Sequence, residues 1–224
     1  MQRRTFIKNS SLIAAGASIG FPTTAFTQPR ASKLKIKKSL KIEMVKDELS
    51  IMDKFKMLKE LGYDGVELSS PHQYDHKEIL AARDKTGLEI PGVVNSEHWK
   101  SPLSHPDPKV REKCFNTVIT AMKDCKLYGG TTVLLVAGVV NEQISYGEAY
   151  QRTQAEIRKM IPHAERTGIK IAIENVWNNF LISPVEAARY LDEINHPMVG
   201  WYSHGRLVFR HRQYLALRLA RALD

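Results

Sequence analysis

Six alternations of an apolar β-run with a helical segment read as an α/β fold with parallel strands. Three observations predict it. Glycines that end helical segments recur at Gly62, Gly87, Gly129–Gly130 and Gly168. The run Thr131–Val136 is almost wholly apolar, as a strand is when helices cover its sheet. Polar residues with chemical potential stand at several strand ends, at Glu67 and Glu174 with His98 nearby, whereas no Gly-x-Gly-x-x-Gly or Gly-Lys-Ser/Thr follows the first strand. That distribution favours a (β/α)8-type barrel, which gathers its site from several strand ends, over an open doubly wound sheet.

The elements follow in order. Leu40–Val45 reads as the first strand. Ser50–Leu61 is a helix with apolar residues at 51, 52, 55, 58 and 61, closed by Gly62. Gly65–Leu68 is a short second strand, and His76–Lys85 a helix ended by Gly87. Leu88–Val94 reads as the third strand, with Pro91 tolerable only near an end or a bulge. Asp107 and Pro108 open a long helix to Tyr128 as N-cap and first helical residue, and Gly129–Gly130 stop it. Thr131–Val136 is the fourth strand, Glu148–Thr167 a helix ended by Gly168, and Ile169–Ile173 the fifth strand. Ser183 and Pro184 cap a helix to about Ile194, and Met198–Tyr202 is the sixth strand.

The two ends differ from this body. Arg3-Arg4-Thr5-Phe6-Ile7-Lys8, a short apolar stretch and Thr23-Thr24-Ala25 resemble a twin-arginine export signal over residues 1–25, cleaved near Ala25, which predicts a periplasmic protein. The apolar stretch is too short to span a bilayer. Residues 26–39 read as an entry segment, 40–203 as the partial barrel and 204–224 as an aberrant basic tail. Of the net charge of +9, the leader holds +3 and the tail +4, so residues 26–203 carry only +2 and present no nucleic-acid footprint. Lys33, Lys35, Lys37, Lys38 and Lys41 read as the solvated side of the segment entering the first strand. Cys114 and Cys125 fall in one helix, eleven residues apart. That spacing puts their backbones roughly 16 Å apart, beyond disulfide reach.

The strongest single signal is Ile171-Ala172-Ile173-Glu174-Asn175-Val176-Trp177, an apolar strand ending in a carboxylate, an amide and an indole. A strand interior does not readily bury a carboxylate unless it is paired, protonated or metal-bound. The plain alternative for Glu174 is a structural pair with a lysine or arginine. His98, after the third strand and beside Trp99, suits hydrogen bonding to a hydroxyl and stacking on a carbon face, or simple packing of the two rings. Glu67 either orients groups beneath the mouth or pairs with Lys41. Asn175 and Trp177 follow Glu174 as candidate pocket residues. His72, His76, His105, His163 and His196 form no recognisable metal motif.

Leu61–Leu68, Val93–Pro102 and Ile171–Phe180 resemble the xylose-isomerase-like TIM-barrel family, and the likeness runs from about Leu40 to Tyr202. That family holds sugar isomerases and epimerases, including sugar phosphate and hydroxypyruvate isomerases, and an endonuclease acting on abasic DNA. The resemblance implies that Glu174 is both a metal ligand and a proton-moving carboxylate, with His98, Trp99, Glu67, Asn175 and Trp177 around the substrate. It implies a divalent cation, Mn²⁺, Mg²⁺ or Zn²⁺, that polarises a carbonyl while a carboxylate moves a proton through an enediolate. The expected substrate is a small free sugar or hydroxy-carbonyl compound, since export and the lack of an obvious phosphate site argue against a sugar phosphate. A noncatalytic sugar binder and a same-fold metal-dependent endonuclease are the alternatives.

The resemblance fails after Tyr202. The family continues there into an Asp-containing segment, whereas Ser203-His204-Gly205-Arg206 follows here, and no carboxylate stands between Glu193 and Asp224. Residues 204–224 hold five arginines and no lysine, a shift in composition that reads as a changed reading frame or as a basic amphipathic terminal helix. The last two β-α units of a full barrel of about 250 residues are expected to be missing. Weak activity, poor metal retention and self-association through open sheet edges are the expected consequences.

Overall fold

The computed structural model describes residues 37–45 and 48–202. The readings made on residues 1–36 and 203–224, export signal and basic tail included, lie outside the described residues. Six strands, β1 (Ser39–Lys41), β2 (Gly65–Ser70), β3 (Gly92–Asn95), β4 (Thr132–Leu135), β5 (Lys170–Glu174) and β6 (Val199–Tyr202), form one sheet in sequential order. Every neighbouring pair is parallel. Within the described residues the sheet is open between β1 and β6, so the expected partial barrel with six parallel strands stands.

Five helices cover the outer face: α1 (Ile51–Glu60), α2 (His76–Thr86), α3 (Pro108–Tyr128), α4 (Tyr146–Thr167) and α5 (Pro184–Ile194). Their starts follow from side-chain caps that satisfy otherwise orphaned N–H groups. The Ser50 hydroxyl accepts from Asp53 N–H, and Asp75 and Asp107 accept from Lys77 and Lys109 N–H. Ser145–Glu148 and Ser183–Glu186 form reciprocal capping boxes. The first box starts α4 at Tyr146, two residues earlier than Glu148. None of these helices is long and apolar enough to cross a membrane.

Two strand boundaries differ most from the sequence reading. β1 ends at Lys41, and Ile42–Met44 form a 3₁₀ turn. The turn carries Glu43 across the end of β2, where its carboxylate accepts from Ser69 N–H at 3.1 Å. β3 starts at Gly92 rather than Leu88, because Pro91 has no N–H to give a ladder; only an isolated bridge from Glu89 to Gly65 precedes it. Gly92 also permits the close approach of β3 to β4, since a Cβ there would stand 2.7 Å from the Thr132 carbonyl oxygen. Gly92→Ala is therefore expected to cost about 1–3 kcal/mol, read as a lowered urea midpoint. An unchanged midpoint would contradict the close approach.

Alternation along each strand sorts the side chains. Val66 and Leu68 of β2, Val133 and Leu135 of β4, and Ile171 and Ile173 of β5 are buried under the helices with Phe55, Ile79, Val118, Met122, Ile157 and Met160. The intervening residues face the other side of the sheet. The register sets Lys41 beside Glu67, Val94 beside Leu134, and Glu174 beside Tyr202. Cys114 and Cys125 lie buried and unbridged in α3, as their spacing requires. Burial pushes their thiols up to about 12 and about 11, which keeps them protonated and unreactive.

Candidate active site

The inner faces of the strands and the loops at their carboxyl ends enclose a cavity of about 430 Å³. Glu67, Glu174, His98, Lys41 and Tyr202 supply its polar groups, and Val94, Leu134, Val136 and Val176 its apolar wall. The arrangement is a product of register. Because the side-chain period of a strand is two, a carboxylate at the last residue of β5 shares the face of Ala172 rather than that of Ile171 and Ile173.

Glu174 is only 8% exposed. Burial, with a smaller contribution from the Glu67 carboxylate and some relief from Lys41, pushes its carboxyl up to about 7. A carboxyl in that state divides between acid and base near neutrality, which is what proton abstraction and return demand. Among the described residues it forms no ion pair with a lysine or arginine, the structural alternative for this position. Glu67 is engaged by Tyr202, whose hydroxyl donates to its Oε1 at 2.6 Å. This contact joins β2 to β6 across the cavity in place of the Lys41 pairing considered for Glu67. Burial and then Glu67 raise the Tyr202 hydroxyl well above its ordinary value, so it serves only as a protonated donor.

His98 is buried, and burial together with Lys41 pushes its imidazole down to about 4. It is neutral in the physiological range. Its Nδ1 lies 3.4 Å from the Val136 N–H, a long contact that sets Nδ1 as acceptor and assigns the ring proton to Nε2. The Trp99 ring is half exposed and packs edge-on against His98, with centroids 5.6 Å apart. Both line the cavity.

Two other candidates stand elsewhere. Trp177 is 89% exposed and does not line the cavity, and Asn175 is buried outside its lining. Lys41, read from sequence as solvated, instead faces the cavity beside Glu67. Sequence reasoning assigned Tyr202 no role and Lys41 only a solvated position or a pairing with Glu67. Their signal was positional: each shares a strand face with a carboxylate-bearing neighbour, which becomes visible only once register is known.

Among the described residues no three His, Cys, Asp or Glu side chains converge closely enough to hold a metal ion. Among the described residues Glu174 and Glu67 offer carboxylate oxygens to one cavity, a donor set incomplete for a divalent cation.

His72 and His76 make a separate structure behind β2. His72 Nε2 lies 2.8 Å and His76 Nδ1 2.6 Å from the Tyr128 hydroxyl, while His72 Nδ1 accepts from Tyr74 N–H. His72 therefore donates to Tyr128, Tyr128 donates to His76, and His76 Nε2 faces Asp124 at 4.0 Å. Asp124 also accepts from Ser70 at 2.6 Å. This chain ties the loop after β2 to α3. Tyr128→Phe leaves two imidazole nitrogens without their shared partner and is expected to cost about 1–3 kcal/mol of stability, read by urea unfolding. A loss under about 0.5 kcal/mol, below a typical net hydrogen bond, would contradict the chain.

A family model described as xylose isomerase-like TIM barrel matches residues 55–202. Over 162 residues the chain is 24% identical to L-ribulose-5-phosphate 3-epimerase UlaE of Escherichia coli, a match covering 67% of this chain and 57% of the relative. The chain thus spans less than two thirds of that relative's length. Among solved structures, 3-keto-D-glucoside 4-epimerase YcjR from E. coli superposes with a TM-score of 0.70 at 18% identity, covering 84% of this chain and 76% of the other. D-psicose 3-epimerase with D-tagatose, from Clostridium cellulolyticum H10, gives a TM-score of 0.66 at 16% identity over 75% of this chain and 63% of the other. These structural likenesses establish the fold.

Proposed function

The chain belongs to the xylose isomerase-like TIM barrel family, and from that premise we propose that its cavity is the proton-transfer site of a sugar isomerase or epimerase. Glu174 is the proton carrier. The observation that supports this is a nearly buried strand-end carboxyl held near 7 without a cationic partner. Glu174 in its ionised form takes the proton from the carbon beside a ketose carbonyl, and its protonated form returns one. The neutral His98 donates through Nε2 to a substrate oxygen, Trp99 offers an apolar face to the sugar carbons, and Tyr202 holds Glu67 in place.

The substrate we propose is a free ketose. Solved neighbours are described with D-fructose, D-tagatose and D-allulose, whereas the curated relative is named for a phosphorylated pentulose. In this chain Lys41 is the one cation lining the cavity among the described residues, and two carboxylates stand with it, which disfavours a dianionic phosphate. Two finer readings belong here as well. Should a divalent cation, Mn²⁺, Mg²⁺ or Zn²⁺, bind, Glu174 would be one of its ligands and the cation would polarise the carbonyl. The chain holds that cation weakly and turns over slowly. Export to the periplasm through residues 1–25 is part of the same proposal, checked by following the full-length chain in cell fractions with and without the Arg3-Arg4 pair.

The experiment is incubation of the full chain with D-fructose, D-tagatose and D-allulose in deuterium oxide, followed by NMR. Deuterium at C3 identifies an epimerase and deuterium at C1 an isomerase. Saturable binding with no exchange at either carbon would support the noncatalytic binder instead.

A further inference from the structure

Lys41 is a charged cavity residue to which the proposed mechanism gives no task. It lies at the end of β1, half-buried, with its side chain on the inner face of the sheet. Its register neighbour is Glu67, but the Glu67 carboxylate accepts from Tyr202 at 2.6 Å. Among the described residues the Lys41 ammonium has no hydrogen-bond or ion-pair partner. Lys41 is thus a half-buried cation in the cavity, available to a ligand there. Lys41, His98 and Glu174 line the same cavity, and the lysine's charge acts on both of the groups assigned to substrate oxygen and substrate proton.

We propose that Lys41 is a catalytic residue whose ammonium meets the substrate's carbonyl oxygen and holds the oxyanion of the enediolate. The inference rests on the reading of this cavity as a proton-transfer site. Glu174 removes a proton from the carbon beside the carbonyl. The C–H electron pair becomes the C=C bond, and the carbonyl π pair moves onto oxygen, where Lys41 and His98 Nε2–H face it. Return of a proton from the Glu174 carboxyl reverses the electron flow, so atoms and charges balance. A permanent anion would meet repulsion from Glu67 and ionised Glu174. The oxyanion forms only as Glu174 becomes neutral, so its charge finds the cation while one of the two repelling groups is switched off.

The test is calorimetric binding of glycolohydroxamate, a planar enediolate mimic, with EDTA present and at mildly alkaline pH. The host is the full chain carrying Glu174→Gln, whose amide stands for the carboxyl protonated in the intermediate. Adding Lys41→Met is expected to weaken the mimic about tenfold or more, and adding Lys41→Arg less than about threefold. Circular dichroism and thermal midpoints confirm that the hosts are folded. No binding to the Glu174→Gln host, or affinities within about twofold across the three chains, would overturn the assignment. A second arm compares deuterium exchange into D-tagatose by wild type and Lys41→Met. Exchange that depends on Glu174 but not on Lys41 overturns the Lys41 role and leaves the proton-transfer reading intact. Lys41-dependent binding of the mimic with no exchange by wild type does the reverse.

Discussion

Glu174→Gln is expected to stabilise the folded chain at pH 8 while leaving it unchanged at pH 4, in the presence of EDTA. The folded-state carboxyl stands near 7, above its ordinary value of 4.5, because it is buried beside Glu67. A raised carboxyl pKa means the folded state binds the proton more tightly than the unfolded one. Below about 4.5 both states are protonated and there is no penalty; the penalty grows as pH rises and is complete above about 7. Its size at pH 8 is about 2–3 kcal/mol. The glutamine amide keeps the shape and removes the charge, so the gain should appear as a raised urea midpoint at pH 8 alone. A structural carboxylate paired with lysine or arginine behaves oppositely, losing stability at pH 8 when replaced. The sign of the change therefore separates the two readings of this residue, whatever the substrate.

Phe180→Ala is expected to be the most damaging single truncation near the site, at about 3–5 kcal/mol. Phe180 is 1% exposed, and its ring meets Tyr146 at 5.3 Å and Tyr190 at 5.7 Å. These contacts fasten the loop after β5 to α4 and α5. The same loop holds Asn179 and Leu181 in left-handed backbone conformation, at φ 55° and 54°. That geometry costs roughly 1–2 kcal/mol at a residue such as leucine, so the aromatic packing on either side must offset it. Removing the ring takes away the transfer energy, the edge-to-face contacts and the restraint on the strained residues together. Denaturant unfolding should show the loss, and limited proteolysis should cut first between 176 and 182. A loss under about 1 kcal/mol would mean that the ring is not the anchor.

Much of the fold was legible in the sequence. Glycines after helices, Asp107-Pro108 and Ser183-Pro184 placed the helix ends within a residue or two, because caps are local chemistry. Glu174 stood out because a carboxylate closing an apolar strand is costly to bury unless it is paired, protonated or metal-bound. The two largest boundary misplacements differ in cause. The early end of β1 goes with Glu43 reaching Ser69, a residue far away in sequence, whereas the late start of β3 follows from Pro91, whose missing N–H is local and already visible in the sequence. Tyr202 and Lys41 acquire meaning only through register with β5 and β2. Trp177 shows the converse, since adjacency to Glu174 in sequence carried it out to solvent rather than into the cavity.

The proton-transfer claim is tested most directly by deuterium incorporation from solvent into a free ketose, comparing the full chain with its Glu174→Gln variant. Slow incorporation at the carbon beside the carbonyl is expected for the wild-type chain, with none above the uncatalysed rate for the variant. Equal incorporation by both chains would contradict the account, because the proton would then be moving through a group other than Glu174.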